Sequence, residues 1–289
     1  MIKLQQKGKM ALFGSAFLWG FGFVAIESAL RHGWHPMVLL AFRGLIGGLF
    51  LLLFSYKRQW WLNKRMLKDG FIAGIYMSLG FVAQTYGQAM SGPANAAFIT
   101  ALYVIFTPLI VSIASKTKVK KMVMAAALLS FVGVSLISVN ESLRFALGDI
   151  ILVLGALMFA IHIVKLGEIG HYDDALSITT IQLFTMSGLA FITFPFIDVQ
   201  LGWAGIESVI YIGLISSGIA FFLQTFGQKL VPSSNASVIM TFEAIFGVLG
   251  AVMFFNELLS LQVLLGGFLL IGSVFLLELN PSFPFLKRM

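Results

Sequence analysis

The sequence predicts an all-α membrane protein of ten transmembrane helices, arranged as two inverted five-helix repeats. Three observations carry that prediction. Of 289 residues, 59% are hydrophobic and only 11% charged, with a mean hydropathy of +0.96. A soluble domain carries roughly a quarter charged residues and needs them to cover its surface. The apolar residues fall into ten segments, each near the ~20 residues that cross a hydrocarbon core. Finally, the polar stretch "QTYGQAMSGPANAAFIT" at 84–100 recurs as "QTFGQKLVPSSNASVIM" at 224–240.

Charged or Gly/Pro breaks mark the segments in turn. Segment 10–30 follows the lysines of "MIKLQQKGK". It runs past signal-peptide length without an A-x-A cleavage site, so it reads as a retained helix. Segment 36–56 ends at "KRQWW", 69–90 at "SGPAN", and 93–115 at "SKTKVKK". Segment 121–140 ends at "NESLR", which leads to 147–167 and the break "GEIGHYDD". Segments 174–195, 205–229, 233–255 and 260–279 are separated by "PFIDVQ", "VPSSN" and "NE". The loops between them are short, with no room for a soluble domain.

Placing the N-terminus in the cytoplasm puts 16 of the 19 Lys and Arg on the inner side, most of them in the first half. Arg31 and Arg144 fall outside, and Arg43 lies within a helix. The positive-inside rule therefore predicts a plasma or inner membrane protein with both termini cytoplasmic. Trp34 and Trp203 fall in outer loops, and Trp60 and Trp61 at an inner helix end, as in an aromatic belt. The pI near 9.7 is explained by anionic membrane lipids and calls for no nucleic-acid partner. With no cysteine, disulfides and thiolate metal sites are excluded. His32, His35 and His171 lack ligand spacing, so no metal and no cofactor are expected.

Residues 81–110 and 221–250 align without gaps at eleven of 30 positions, Gln84/Gln224, Thr85/Thr225, Gly87/Gly227, Gln88/Gln228 and Asn95/Asn235 among them. A five-helix unit has an odd number of spans, so its two copies, 1–145 and 146–289, enter the membrane from opposite sides. Inverted repeats of this kind characterise secondary transporters with a site between the halves near the midplane.

The opening "FLWGFGFVAI" around Trp19-Gly20, Arg43 in "LLAFRGLI", the QT-x-GQ repeat and "NELLSLQVLLGGFLLIGSVFLL" with Glu257 resemble the EamA branch of the drug/metabolite transporter superfamily. The resemblance spans the whole chain. Helix 6 departs from it with "LMFA" where Trp-Gly would repeat, Gln182 roughly answers Arg43, and "SKTKVKK" lacks the counterpart of Glu257. The resemblance implies transport of a small metabolite, with export of amino acids or related amphipathic compounds as the expected activity. It implies neither a coupling ion nor an uncoupled mechanism.

Ionisable groups within a span are costly and point to function. Arg43 lies roughly 10 Å below the outer surface at ~1.5 Å per residue, with Glu27 at similar depth. The two form an ion pair or snorkel outward; alternatively, Arg43 lines a cavity for a substrate carboxylate. Glu243, near the midplane of helix 9 and equivalent to Tyr103, is a candidate proton carrier or ligand for a substrate amine. The alternative is a protonated acid bonded to a neighbouring helix. Gln84 with Gln88 and Gln224 with Gln228 each share a helix face, where they bridge helices or line a polar cavity. Trp19 completes the expected substrate and proton pathway. Asn95 and Asn235 open helices 4 and 9 as caps or gates. Gly44-x-x-x-Gly48 and Gly70-x-x-x-Gly74 permit close helix packing. His162 and Lys165 share a face near the inner end of helix 6, as interfacial side chains or a gate.

The sequence thus predicts a secondary transporter working by alternating access. It is expected to act as a monomer on a small-molecule substrate, with protons as the candidate coupling ion. A proton-coupled exporter of lipophilic cations is the alternative. A membrane scaffold or lipid-binding protein is the reading without transport; it requires tight packing with no cavity between the halves. Nothing in the sequence suggests an enzyme.

Overall fold

The computed structural model describes residues 2–91, 93–138, 147–171, 174–199, 202–255 and 261–278. Among them every regular element is helical. They are α1 (Ile2–Arg31), α2 (Pro36–Ser55), α3 (Lys64–Ser91), α4 (Pro93–Thr100), α5 (Tyr103–Ser115), α6 (Lys121–Ser138) and α7 (Leu147–Glu168). The second half holds α8 (Ala175–Phe191), α9 (Ile206–Ile210), α10 (Ala220–Gln228), α11 (Ser233–Met240), α12 (Glu243–Phe255) and α13 (Leu261–Glu278). The 145/146 boundary, Arg144 and Glu257 lie outside the described residues.

Among the described residues, six stretches are long and apolar enough to cross a membrane: Leu4–Arg31, Pro36–Arg58, Lys64–Ser91, Leu147–Glu168, Ala175–Phe196 and Ile206–Gln228. Shorter apolar helices cover Tyr103–Ser115, Lys121–Leu136 and Leu264–Leu276. Large apolar side chains such as Phe54, Ile113, Phe268 and Phe275 stand exposed on the perimeter, as lipid contact requires. The chain is a multi-pass membrane protein.

Two expected helices are divided. Segment 93–115 breaks between Thr100 and Tyr103, and segment 233–255 between Met240 and Glu243. Both breaks are tight turns with i→i+3 bonds. Leu102 N donates to Ile99 O at 3.1 Å and Val104 N to Ala101 O at 3.0 Å; Phe242 N donates to Ile239 O at 3.3 Å and Ala244 N to Thr241 O at 3.1 Å. No Gly or Pro marks either turn, so composition gives no warning. The eighth segment also changes winding, being π-helical over Tyr211–Ile219 between α9 and α10. π-bulges of this kind frequently accompany functional sites.

The halves interlock through contacts that repeat when 140 is added to one partner and subtracted from the other. A Cβ on Gly87 would stand 2.5 Å from Leu152 Cγ and 3.1 Å from Gly148 O; one on Gly227 would stand 2.6 Å from Leu12 Cγ and 2.9 Å from Gly8 O. Only glycine lets α3 approach α7, and α10 approach α1, this closely. The small-residue motifs of α2 and α3 work likewise against α8, where Gly44 faces Leu183 O and Gly74 faces Thr185. On the far side, Ser130 of α6 and Ser273 of α13 share a 2.7 Å hydrogen bond.

Trp34 lies in the loop between α1 and α2, but it does not face outward as an aromatic belt would have it. It is buried, and its Nε1 donates to Ala204 O at 2.8 Å. Its indole closes the α1–α2 turn over the loop before α9, while Trp203 in that loop stands exposed.

Candidate functional site

A cavity of about 50 Å³ lies where α1, α2, α3, α4, α5, α7, α10, α11, α12 and the π-helical stretch converge. At ~10–15 Å³ per water, it has room for a few water molecules in this conformation. The 140-residue offset organises its wall. Seven equivalent pairs line it: Trp19/Phe159, Gly22/His162, Phe23/Ile163, Phe81/Phe221, Gln84/Gln224, Thr100/Met240 and Tyr103/Glu243. Only Ile26, Arg43 and Ser216 line it without their counterparts. Each half therefore supplies the same positions, and the chemistry differs where the pairs differ.

An aromatic cluster forms the floor. Phe81 packs against Phe159 at 5.0 Å and Phe221 at 5.5 Å between ring centroids, and Trp19 lies 4.8 Å from Phe221. Trp19 Nε1 donates to Ser216 O at 2.9 Å, anchoring α1 to the π-helical stretch.

Arg43 is 2% exposed. Its Nε donates to Ser217 Oγ at 2.9 Å, and its guanidinium carbon stands 3.8 Å from the Phe81 ring centroid. A cation over an aromatic face is attracted by the ring quadrupole, but that does not neutralise a buried charge. Among the described residues no carboxylate forms an ion pair with Arg43. The expected pair with Glu27 is absent: Glu27 binds Arg31 at 2.8 Å, one helical turn away, and accepts from Gln88 Nε2 at 3.5 Å. The i,i+4 spacing makes Arg31 the nearer partner, while Arg43 turns inward.

Glu243 is also buried. Its Oε1 accepts from Tyr103 Oη at 3.0 Å, joining the first residues of α12 and α5 just beyond the two helix breaks. Gln84 Nε2 donates weakly to Thr100 Oγ1 at 3.4 Å. Gln224 Oε1 is buried with no hydrogen-bond partner among the described residues. A buried unmet acceptor facing a cavity is a place for a ligand donor.

Six of the eight pathway candidates thus meet at one cavity: Trp19, Arg43, Gln84, Tyr103, Gln224 and Glu243. Gln88 and Gln228 stand apart and make equivalent bonds. Gln88 Nε2 donates to Phe23 O at 3.4 Å, and Gln228 Nε2 to Ile163 O at 2.8 Å. They act as twin latches on the first helix of each half. Gln228 also borders a larger cleft of about 420 Å³ with Ser115, Glu168, Lys229 and Ser233. Asn235 sits in the first turn of α11 after the cap residue Pro232, and among the described residues its side chain makes no capping bond. The side chain of Asn95 lies outside the described residues.

His162, which the sequence reads as an interfacial side chain or a gate, is buried on the cavity wall with Nε2 2.6 Å from Gln182 Oε1. Phe159, Thr100, Ser216 and Ser217 also escape sequence reading. The offset itself was the available signal, since adding 140 to Trp19 and Gly22 gives Phe159 and His162.

The sequence matches the EamA-like transporter family twice, over residues 6–139 and 146–279. The two matches are displaced by the same 140 residues as the cavity pairs. An uncharacterized transporter of Archaeoglobus fulgidus is 29% identical over 270 residues, 92% of this chain and 83% of its own. The uncharacterized transporter YoaV of Bacillus subtilis is 22% identical over 296 residues, covering 98% of this chain and 99% of its own. A solved crystal structure of 16% identity superposes with a TM-score of 0.80 over 94% of this chain and 96% of its own, a likeness of fold. The tandem match, extending over nearly all of the described helices, shows that the chain belongs to the EamA-like transporter family.

Proposed function

We propose that this transporter exports amino acids or related amphipathic compounds across the plasma or inner membrane by alternating access. Ten spans form two inverted repeats, 1–145 and 146–289, with both termini cytoplasmic, and the halves rock about the central cavity. The observation that carries this reading is the cavity between the halves, where a buried guanidinium without a carboxylate partner and a buried carboxyl group meet an aromatic floor. Arg43 binds the substrate carboxylate, Glu243 its amine or a proton, and Trp19, Phe81 and Phe221 its apolar part. The protein works as a monomer. A cavity touching both halves also argues against a tightly packed scaffold.

A proteoliposome uptake screen over the amino acids, with and without a pH gradient, tests the proposal. Saturable flux of at least one amino acid supports it, and no flux for any of them overturns it. The alternative, a proton-coupled exporter of lipophilic cations, draws on Glu243 beside the aromatic cluster. It predicts transport that survives loss of Arg43 and fails on loss of Glu243.

A further inference from the structure

His162 is 1% exposed and forms part of the cavity wall. Two hydrogen bonds decide which of its nitrogens is left for a ligand. Gln182 Nε2 donates to Ile178 O of its own helix at 3.2 Å, so the amide oxygen is the end turned to the imidazole, 2.6 Å from Nε2. An amide oxygen only accepts, hence His162 Nε2 carries the hydrogen, and Nδ1 of the neutral ring is an acceptor. Among the described residues nothing donates to Nδ1.

The first repeat cannot mirror this group. The counterpart of His162 is Gly22, where an added Cβ would stand 2.8 Å from Ser216 Oγ. Arg43 is one-sided in the opposite sense: its counterpart is Leu183, beside the Gln182 that holds the imidazole. The first half thus contributes a pure donor from its second helix. The second half contributes an acceptor from its first helix. Tyr103 Oη is committed to Glu243, and Gln84 Nε2 to Thr100.

We propose that His162 is a specificity-determining residue of the cavity. Its Nδ1 accepts a hydrogen bond from an N–H or O–H group of the transported molecule while Arg43 takes the carboxylate. The cavity then selects small carboxylates that bear such a donor over those that lack one. Gln182 is a positioning residue that fixes the tautomer and orientation of the ring. The inference rests on the proposed transport of amino acids and related compounds.

The test uses the full chain in proteoliposomes with three probes of one carbon skeleton: L-leucine, 2-hydroxy-4-methylpentanoate and 4-methylpentanoate. The wild type carries the first two in preference to the third. His162→Phe removes the acceptor, and His162→Gln keeps an amide at the Nε2 position while losing Nδ1. Either change raises KM for the two donor-bearing probes about 10-fold or more, the scale of one hydrogen bond to a charged or polar group, and leaves 4-methylpentanoate unchanged. His162→Asn, which restores a polar atom near Nδ1, recovers part of the preference. Gln182→Leu raises the same two KM values by a smaller factor with kcat retained. Should His162→Phe fail to fold, His162→Gln supplies the reading. A probe preference unchanged in folded His162→Gln overturns the inference and leaves the transport proposal standing. A wild type that carries none of the probes nor any amino acid overturns both.

Discussion

Tyr103 and Glu243 are equivalent residues of the two repeats, 140 positions apart, and they bind each other: Tyr103 Oη donates to Glu243 Oε1 at 3.0 Å. Each is the first residue beyond the break in its helix. A pseudo-symmetric structure brings equivalent positions face to face only along its axis, so this bond marks where the halves meet. Removing the hydroxyl in Tyr103→Phe leaves the buried carboxyl without its hydrogen bond, a loss of about 1–3 kcal/mol. Thermal unfolding in detergent of Tyr103→Phe, Glu243→Gln and the double variant is expected to show coupling of ~1 kcal/mol. Additive single effects would mean that the bond contributes nothing to stability.

If Glu243 carries the coupling proton, Glu243→Gln abolishes any dependence of flux on a pH gradient while binding of substrate persists. Flux measured across imposed gradients checks this. A gradient dependence unchanged in the variant sinks the proton role.

Arg43 is expected to act as the carboxylate receptor. Arg43→Leu should raise KM for carboxylate substrates ~10- to 100-fold, matching about 1.5–3 kcal/mol for a hydrogen bond to a charged group. Arg43→Lys should recover only part of this, because a compact ammonium lacks the planar fork that bonds Ser217 while standing over the Phe81 ring. Equal KM values for Arg43→Leu and wild type would remove Arg43 from the site.

The two glutamine latches differ in length, 2.8 Å for Gln228 and 3.4 Å for Gln88. In a transporter whose halves exchange conformations, the short and long bonds change places in the opposite state. Gln228→Ala is expected to loosen α10 from α7 by ~1 kcal/mol. The chain has no cysteine, so one reporter suffices: Val231→Cys, buried beside the cleft, should react with a thiol reagent about 5-fold faster. Gln88→Ala should leave that rate unchanged, and equal acceleration by both would refute the exchange.

The glycine contacts between the halves admit a packing test. Gly87→Val should destabilise by about 1–3 kcal/mol through overpacking, since a Cβ there already meets Leu152 at 2.5 Å. Gly87→Val combined with Leu152→Ala should recover part of the loss. A melting temperature unaffected by Gly87→Val would show that α3 and α7 can separate freely.

Much of the architecture was legible because a bilayer leaves the sequence little choice. Apolar runs of fixed length must become helices that satisfy their own backbone, and the polar register at Gln84 and Gln224 betrayed the repeat without any structure. The helix breaks before Tyr103 and Glu243 were not legible: they are tight turns made without Gly or Pro, stabilised by packing. The burial of His162 on the cavity wall was not legible for a related reason. Its spacing from Lys165 describes one helix face, and which neighbour covers that face is a tertiary fact.

The sequence by itself determined the membrane class, the repeat and its 140-residue offset, and the polar residues that stand out from an apolar background. These follow from composition and local periodicity, which act along the chain. Only the tertiary structure decided that Arg43 faces Phe81 and Ser217 rather than Glu27, that Tyr103 binds Glu243, and that His162 joins them. Such pairings depend on which helices cross and on the glycines that let them approach, distances that no single segment encodes.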